Sequence, residues 1–242
     1  MKRRRKTLIF LMAFLFFVGL GIFLYPTIRG AEIEHTMQQQ VQVFFEQIDS
    51  APVVSPSATT ETSLHHKELW DSMVTYNTQL WNEKQTGLCD PWSYEQPSFT
   101  LGTYGLADEV FGVISIPALN LNMPLYLGAD YNHLATGAAH LSQTSLPIGG
   151  NNTNSVIAGH CGWSGADFFR YITELVPGDK VIIINPWETL TYIVTSTQIV
   201  LPHEVDHVLI QEGRDMLTLL TCHPYASSGT YRYLVFCDRV KP

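Results

Sequence analysis

Positive charge is scarce in this sequence outside its first six residues. Five of the 14 Lys and Arg residues fall between Lys2 and Lys6, so the rest of the chain sets nine basic residues against 22 acidic ones, a formal charge of about −13. Such an acidic body repels a phosphate backbone, and no basic stripe with interleaved aromatic residues occurs. The charge pattern therefore argues against a nucleic-acid-binding protein.

Cysteine is also scarce. The 242 residues include four, Cys89, Cys161, Cys222 and Cys237, with no Cys-x-x-Cys pair and no second ligand pair at the spacing of a zinc site. Small secreted domains that depend on disulfides carry many more. We therefore expect neither a metal or other cofactor nor a disulfide scaffold, while a single bridge outside the cell remains open.

A long run without charge occurs near the N-terminus. Residues 8–25, LIFLMAFLFFVGLGIFLY, are close to the minimum length that crosses the hydrocarbon core of a membrane. The basic cluster before them predicts that residues 1–30 form a cytoplasmic tail and a single transmembrane anchor, with everything after Pro26 outside the cell. A cleaved signal peptide is the alternative, but its apolar region would be shorter and would end in an Ala-x-Ala-like site, which is not obvious here.

Two helical patterns make up a predicted helical region at residues 31–87. Apolar residues recur at three- and four-residue steps in each pattern: Ile33, Met37, Val41, Phe44, Phe45 and Ile48, then Leu69, Met73, Tyr76 and Leu80. Residues 51–63 between them are rich in Pro, Ser and Thr, which predicts a linker. Packing against the main domain, or spacing from the membrane, is sufficient to account for both helices.

From about residue 110 the sequence changes to short β-rich runs punctuated by Gly, Pro, Asn and Asp. The runs are VFGVISI, MPLYLGA, NSVIAGH, DKVIIIN, LTYIVTSTQIV, DMLTLLTC and YRYLVFCDRV. Among them only residues 166–175 have a helical pattern, and no internal repeat is present. Seven or eight short strands with little helix predict a mainly β domain at residues 110–242, closed into a barrel rather than built on a parallel α/β sheet.

Three residues of these runs have the types and positions that thiol chemistry needs. A cysteine becomes a nucleophile when its thiolate is accessible and is stabilised by a nearby imidazolium or guanidinium. Cys222 stands where a strand gives way to a loop, and His160 occupies the same kind of position in NSVIAGHCGWSG. Arg232 opens the strand after the Cys222 loop, at a separation that suits two adjacent strands. Each residue alone is more often structural, but together they indicate a cysteine-based enzyme.

The stretches that carry these residues resemble the sortase family. TLLTCHPY followed by YRYLVFCDRV, with AGHCG upstream, is similar to the sortase pattern Thr-Leu-x-Thr-Cys…Arg with its upstream His. Three further stretches resemble the pilin-polymerising class C branch: VFGVISIPALNLNMPLYLG, HLATGAAHLSQTSLPIGGNNTNSVIAGH and ELVPGD. The resemblance covers about residues 88–240, which is nearly all of the predicted domain.

The resemblance implies an eight-stranded β-barrel cysteine transpeptidase on the membrane of a Gram-positive bacterium. It implies Cys222 as nucleophile, His160 as acid/base and Arg232 as the cation that binds the substrate backbone or the oxyanion. The implied reaction cleaves a Leu-Pro-x-Thr-Gly-like sorting signal between Thr and Gly and transfers the acyl group to a lysine of a pilin subunit. Pilin subunits and the membrane are thus the expected partners.

The resemblance also implies a lid at residues 88–109. In class C members an Asp-Pro-aromatic triplet plugs the active site, which implies that Asp90 pairs with Arg232 and that Trp92 covers the sulfur of Cys222, with Pro91 between them. Without the resemblance, Asp90 and Pro91 simply start a turn. Cys89 beside the triplet raises the further idea of a Cys89–Cys222 disulfide that locks the lid.

Residues around the three candidates receive lesser assignments. Thr221 is expected to line the substrate pocket, and His223 is expected to influence substrate choice rather than act as base, because strand alternation points it away from Cys222. We expect structural roles for three further residues, His133, His140 and Arg239, with Arg239 as the alternative cation should Arg232 prove dispensable. Cys161 departs from the branch, which often has Arg after the catalytic His.

Two other functions remain open. A sortase that attaches surface proteins to peptidoglycan would use the same three residues with a different acceptor amine. A catalytically inactive membrane-anchored adhesin or assembly factor with a β-barrel is the alternative from another class, and the joint presence of Cys222, His160 and Arg232 argues against it.

Overall fold

The computed structural model of the chain describes residues 2–50, 61–86, 88, 101–104, 109–227 and 229–240. Ten strands form in this part of the chain: β1 (Val110–Ile116), β2 (Leu121–Leu127), β3 (Ala138–His140), β4 (Thr153–Ala158), β5 (Cys161–Trp163), β6 (Ala166–Phe168), β7 (Lys180–Ile184), β8 (Thr189–Val200), β9 (Asp215–His223) and β10 (Tyr231–Arg239). The α-helices are α1 (Lys2–Ser50), α2 (Glu61–Asn82) and α3 (Tyr131–Thr136).

Eight of the strands close into a barrel. Their order around it is β1-β2-β3-β4-β9-β10-β8-β7, and β7 pairs back onto β1. The pairs β2–β3 and β4–β9 are parallel, and the others are antiparallel. Closure removes the edges of the sheet, which would otherwise invite pairing with another chain. The predicted mainly β, eight-stranded barrel is confirmed.

Helix α2 is part of the core rather than a spacer. Its Leu69 and Met73 are fully buried against the barrel, where each contributes roughly 1.5–3 kcal/mol of hydrophobic stabilisation. Asn77 on the same helix donates to the Leu146 carbonyl at 3.2 Å and accepts from the Leu146 N–H at 2.7 Å. Because α2 begins at Glu61, the last residues of the expected linker are helical, and residues 51–60 lie outside the described part of the chain.

Strands β5 and β6 form a separate hairpin outside the barrel. Ser164 and Gly165 between them both have positive φ, 51° and 90°, as a two-residue turn that matches the twist of the strands requires. The expected helix at residues 166–175 is therefore wrong, because burial alternates along β6 with period two. A single 3₁₀ turn, Ile172–Glu174, is the helical part of that segment.

Helix α1 is continuous and does not break at Pro26. Residues 6–28 are exposed along this helix, which is long and apolar enough to cross a membrane. Beyond them the helix packs along the barrel, burying Gly30, Met37 and Phe44. The expected anchor and the first amphipathic helix are thus two parts of one helix.

Candidate active site

The ends of two parallel strands bring His160 and Cys222 to the same end of the barrel. β4 and β9 run side by side with Ala158 opposite Leu220, and the Gly159 N–H donates to the Leu220 carbonyl at 3.0 Å. His160 stands two residues beyond Ala158, and Cys222 stands two residues beyond Leu220. The parallel register therefore explains how residues far apart in the sequence reach one site.

Cys222 and Arg232 face each other across the antiparallel pair β9–β10. A Cβ atom placed on Gly229 would lie 3.4 Å from the Cys222 Sγ and 3.0 Å from the Arg232 Nη1, so both groups lie against this glycine. Arg232 Nη1 donates to the Gly229 carbonyl at 2.7 Å and to the Tyr231 carbonyl at 3.2 Å. These bonds hold the guanidinium next to the sulfur.

His160 is half-buried between aromatic rings. Its imidazole stacks on Trp163 at 4.9 Å between centroids and meets the edge of Phe168 at 6.0 Å. Burial lowers the pKa of His160 below its usual value, so the neutral ring, which can accept a proton, is favoured at neutral pH. The preceding Gly159 is required by packing, because a Cβ there would lie 2.7 Å from the Phe169 ring.

Cys161 also belongs to this site, although the sequence marked it only as a departure from the family pattern. It is half-buried, and no disulfide joins Cys161 or Cys222 to another cysteine of the described residues. Burial raises the pKa of the Cys161 thiol, and the neighbouring Cys222 raises it further, while a hydrogen bond with Thr221 and the charge of Arg170 act in the opposite direction. Cys161 is therefore kept as a thiol beside the candidate nucleophile.

Tyr225 and Arg170 form a contact near the candidate site that sequence reasoning missed. The Arg170 guanidinium lies 4.2 Å from the centre of the Tyr225 ring, a cation–π contact between the β9–β10 loop and the segment after β6. Gly162 lies under the same ring, where a Cβ would approach within 2.9 Å. The sequence shows Tyr225 shortly after Cys222, but it does not show its partner, because Arg170 lies 55 residues upstream along the chain.

The residues on either side of Cys222 have packing contacts. Thr221 is 1% exposed, and its hydroxyl donates to the Gly159 carbonyl at 2.8 Å. This is a second hydrogen bond between Gly159 and β9, beside the one from the Gly159 N–H to Leu220. The His223 ring lies 5.6 Å from the Tyr233 ring. Strand alternation places His223 on the face opposite to Cys222. The assignment of Thr221 and His223 to a substrate pocket stays a prediction.

Arg239 lies at the other end of the barrel. It stands seven residues beyond Arg232 on β10, roughly 23 Å away at the rise of a strand. Its guanidinium is 3.6 Å from the Glu188 carboxylate and 5.5 Å from the centre of the Tyr192 ring. Arg239 is therefore too distant to replace Arg232 beside Cys222.

The two upstream histidines lie in the barrel wall. His133 stacks on Tyr126 at 4.6 Å, and its Nδ1 lies 2.7 Å from the Gly128 carbonyl. His140 is fully buried and hydrogen-bonded to Thr144 through Nε2, and burial lowers its pKa to about 4. Both have the structural contacts expected of them.

Asp90, Pro91 and Trp92, together with Cys89, lie outside the described residues. The lid and the Cys89–Cys222 disulfide therefore stay predictions. Within the described residues no group of three or more His, Cys, Asp or Glu side chains could hold a metal ion.

Comparison with known proteins identifies the family. A family model described as the sortase domain matches residues 114–240. Sortase C-1 from Actinomyces oris is 35% identical with a TM-score of 0.63, over 73% of this chain and 99% of that one. A sortase C from Streptococcus pneumoniae, described in terms of catalysis and pilin substrate specificity, is 28% identical with a TM-score of 0.70, over 84% of this chain and 97% of that one.

A curated relative agrees with these structures. Sortase D from Bacillus subtilis (strain 168) is 28% identical over 134 residues, which are 54% of this chain and 65% of the relative. The match thus spans slightly less than two thirds of the length of that protein. With the family model covering more than half of the chain and class C sortases as its structural neighbours, the chain belongs to the sortase family of cysteine transpeptidases.

Proposed function

We propose that this sortase polymerises pilin subunits, with Cys222 as nucleophile, His160 as acid/base and Arg232 as the cation of the site. The observation that carries the proposal is the convergence of the three residues. Cys222 lies opposite Arg232 on the antiparallel pair β9–β10, and the parallel pair β4–β9 brings His160 to the same end of the barrel. Similarity to a sortase C described for its pilin substrate specificity supports pilins as the substrate class.

In the first step the Cys222 thiolate attacks the carbonyl carbon of the Thr–Gly bond in a Leu-Pro-x-Thr-Gly-like sorting signal. Before the attack, the His160 imidazole takes up the thiol proton, since its lowered pKa favours the neutral ring, which can accept a proton. Arg232 stabilises the oxyanion that develops, because its guanidinium is held beside the sulfur. The C–N bond then breaks, protonated His160 donates to the leaving amine, and a thioester on Cys222 remains.

In the second step a lysine amine of another pilin subunit attacks the thioester. Neutral His160 accepts the proton of the attacking amine, an isopeptide bond forms and the Cys222 sulfur leaves as thiolate. Water is the fallback acceptor, so slow hydrolysis of the sorting signal accompanies transfer. Cys161 remains a spectator in this scheme, because its raised pKa keeps it protonated next to Cys222.

The proposal includes the lid and the anchor. Asp90 pairs with Arg232 and Trp92 covers Cys222 until the lid at residues 88–109 opens. The exposed apolar segment of α1 anchors the enzyme as a single-pass membrane protein with the barrel outside the cell.

The test is to incubate the full chain in detergent micelles with a sorting-signal peptide and to search for an acyl adduct by mass spectrometry. We expect an adduct on Cys222 that is absent from Cys222→Ala, and its transfer to a purified pilin through a lysine. Transfer only to a peptidoglycan amine would favour a wall-attaching sortase. If neither the wild type nor a Trp92→Ala variant forms the adduct, the proposed function is wrong.

A further inference from the structure

Helix α1 sets the height of each part of the barrel above the membrane, given the anchoring proposed above. The helix is continuous from the exposed apolar segment to its contacts with the barrel. Each residue beyond Tyr25 therefore adds about 1.5 Å along the helix axis. Gly30 lies roughly 7 Å and Phe44 roughly 28 Å beyond the end of the apolar segment by this measure.

The contacts of α1 fix the barrel along this scale. Met37 and Phe44 are buried against it, and the Tyr126 hydroxyl donates to the Gln40 Oε1 at 2.9 Å. Ile33 packs against the same core. Because these contacts recur every three or four residues over more than three turns, the helix holds the barrel in one orientation.

Among the residues that the structure describes, the β5–β6 hairpin meets α1 nearest to the apolar segment. A Cβ atom on Gly165 would lie 1.9 Å from the Pro26 carbonyl oxygen, and one on Gly30 would lie 2.3 Å from the Gly165 carbonyl oxygen. The tip of the hairpin is therefore level with Pro26 to Gly30, within roughly 8 Å of the end of the apolar segment. The headgroup layer beyond the hydrocarbon core is about 5–7 Å thick, so the tip lies at its depth.

Trp163 directly precedes the Ser164-Gly165 tip of this hairpin, and its ring meets that of Tyr131 at the start of α3. Trp163 is 38% exposed and Tyr131 is 61% exposed, and their rings meet edge to face at 6.3 Å. Trp and Tyr are the residues that concentrate at membrane interfaces, where one part of the ring is apolar and the other is wet. Asp167 and Arg170 pair with each other at 3.3 Å, and Asp130 directly precedes Tyr131, so these neighbours offer no excess of positive charge to a lipid surface.

We propose that the pair Trp163 and Tyr131 seats in the headgroup layer of the same membrane that α1 spans, so that the candidate active site opens at the lipid surface. The inference rests on the proposed anchoring and adds an orientation to it. Because Trp163 also stacks on His160, the acid/base lies one ring away from the lipid boundary. A peptide that reaches Cys222 then has to approach at the level of the headgroups. Because these neighbours carry no excess of positive charge, binding of the pair does not rely on attraction to an anionic lipid.

The test uses the full chain reconstituted in phosphatidylcholine vesicles whose acyl chains carry bromine either near the headgroup or near the chain end. Bromine near the headgroup should quench part of the fluorescence emitted by the five Trp residues. The quenched fraction should be absent from Trp163→Phe. Trp81→Phe is the matched control, since Trp81 lines a cavity with Asp215 and Arg239 at the far end of the barrel and its loss should leave the quenched part intact. Tyr131→Trp on the Trp163→Phe background should restore quenching.

The outcomes separate this inference from the proposed function. If the chain fails to float with vesicles, the proposed anchoring is wrong and the inference falls with it. If the chain floats and forms the Cys222 adduct, but Trp163→Phe removes no headgroup-quenched emission, the inference alone is overturned. Quenching of Trp163 chiefly by bromine at the chain end would also overturn it. Adding phosphatidylserine should leave the quenching unchanged.

Discussion

Cys222 and Arg232 lie against the same glycine, with the Sγ 3.4 Å and the Nη1 3.0 Å from the position a Cβ of Gly229 would occupy. The two groups are directly opposite each other on β9 and β10, so the strand register brings them together and the loop closes over them. An added methyl group at this position would press on the sulfur and the guanidinium at once.

Gly229→Ala should therefore reduce acylation of a sorting-signal peptide by roughly tenfold or more, which corresponds to about 1.4 kcal/mol. The backbone at Gly229 has φ +80°, so alanine there also costs about 1–2 kcal/mol of stability. Gly213→Ala is the matched control, because Gly213 has φ +76° but no atom within 4 Å of the place its new methyl group would take. Equal acylation rates for the two variants would contradict the expected crowding of the site.

Arg232→Lys should lower the rate of acylation by roughly 100-fold, because a lysine cannot reproduce the planar, multiply donating guanidinium beside the sulfur. Arg239→Lys makes the same chemical change at the opposite end of the barrel, where Arg239 contacts Glu188 and Tyr192. It should lower thermal stability while leaving acylation near the wild-type rate. A large loss of acylation in Arg239→Lys, with none in Arg232→Lys, would contradict the proposal and assign the catalytic role to Arg239. Single-turnover mass spectrometry measures both rates.

Stability should fall as the pH drops from about 6.5 towards about 4, because burial lowers the pKa of His140 to about 4. In this window the unfolded chain binds a proton that folded His140 does not, and the stability lost amounts to at most about 3 kcal/mol. His140→Gln removes this titration, so its free energy of unfolding in urea should depend less on pH, although it is lower at pH 7. His203→Gln, at an exposed position, should keep the wild-type slope. The same slope in all three proteins would exclude His140 as the cause.

Gly30→Ala should loosen the contact between α1 and the β5–β6 hairpin, because its methyl group would lie 2.3 Å from the Gly165 carbonyl oxygen. Overpacking of this kind costs about 1–3 kcal/mol, which exceeds the gain of up to about 1 kcal/mol that alanine brings to a helix. We expect a lower melting temperature for the full chain in detergent. Gly21→Ala, with no atom within 4 Å, should not lower it. An unchanged melting temperature in Gly30→Ala would mean that the helix and hairpin separate freely.

Trp92→Ala should raise the rate at which a peptide acylates Cys222 several-fold, since the proposed lid would lose the ring that covers the sulfur. Trp81→Ala removes an equal side chain at the far end of the barrel and should not accelerate the reaction. Initial rates of acylation at subsaturating peptide distinguish the two variants. A Trp92→Ala rate at or below that of the wild type would remove the lid from the proposal.

Local sequence was sufficient for the longer strands of the barrel and for the pairing of Cys222 with Arg232. The ten-residue step from Cys222 to Arg232 predicted neighbouring strands, and an antiparallel pair joined by a short loop places them opposite each other. The hairpin at β5 and β6 was misread because short strands with few β-branched residues leave little periodic signal. The dipeptide Ser164-Gly165 was the sign of a turn that the sequence offered. In the structure both residues adopt positive φ.

Long-range contacts were beyond such reasoning. Nothing in the order of residues indicates that Arg170 lies over Tyr225, or that Cys161 and Thr221 share a hydrogen bond, because these depend on how the β5–β6 hairpin packs on the barrel. The continuity of α1 through Pro26 was also unexpected. Proline removes one backbone hydrogen bond, and the helix continues on either side of it.

The hydrogen bond from the Gly159 N–H to the Leu220 carbonyl joins the two halves of the site, which arrive from distant parts of the chain. Any local opening that separates the nucleophile from its acid/base has to break this bond. The exchange rate of that one amide proton with deuterium therefore measures how often the site is disassembled, even in a Cys222→Ala protein that performs no chemistry.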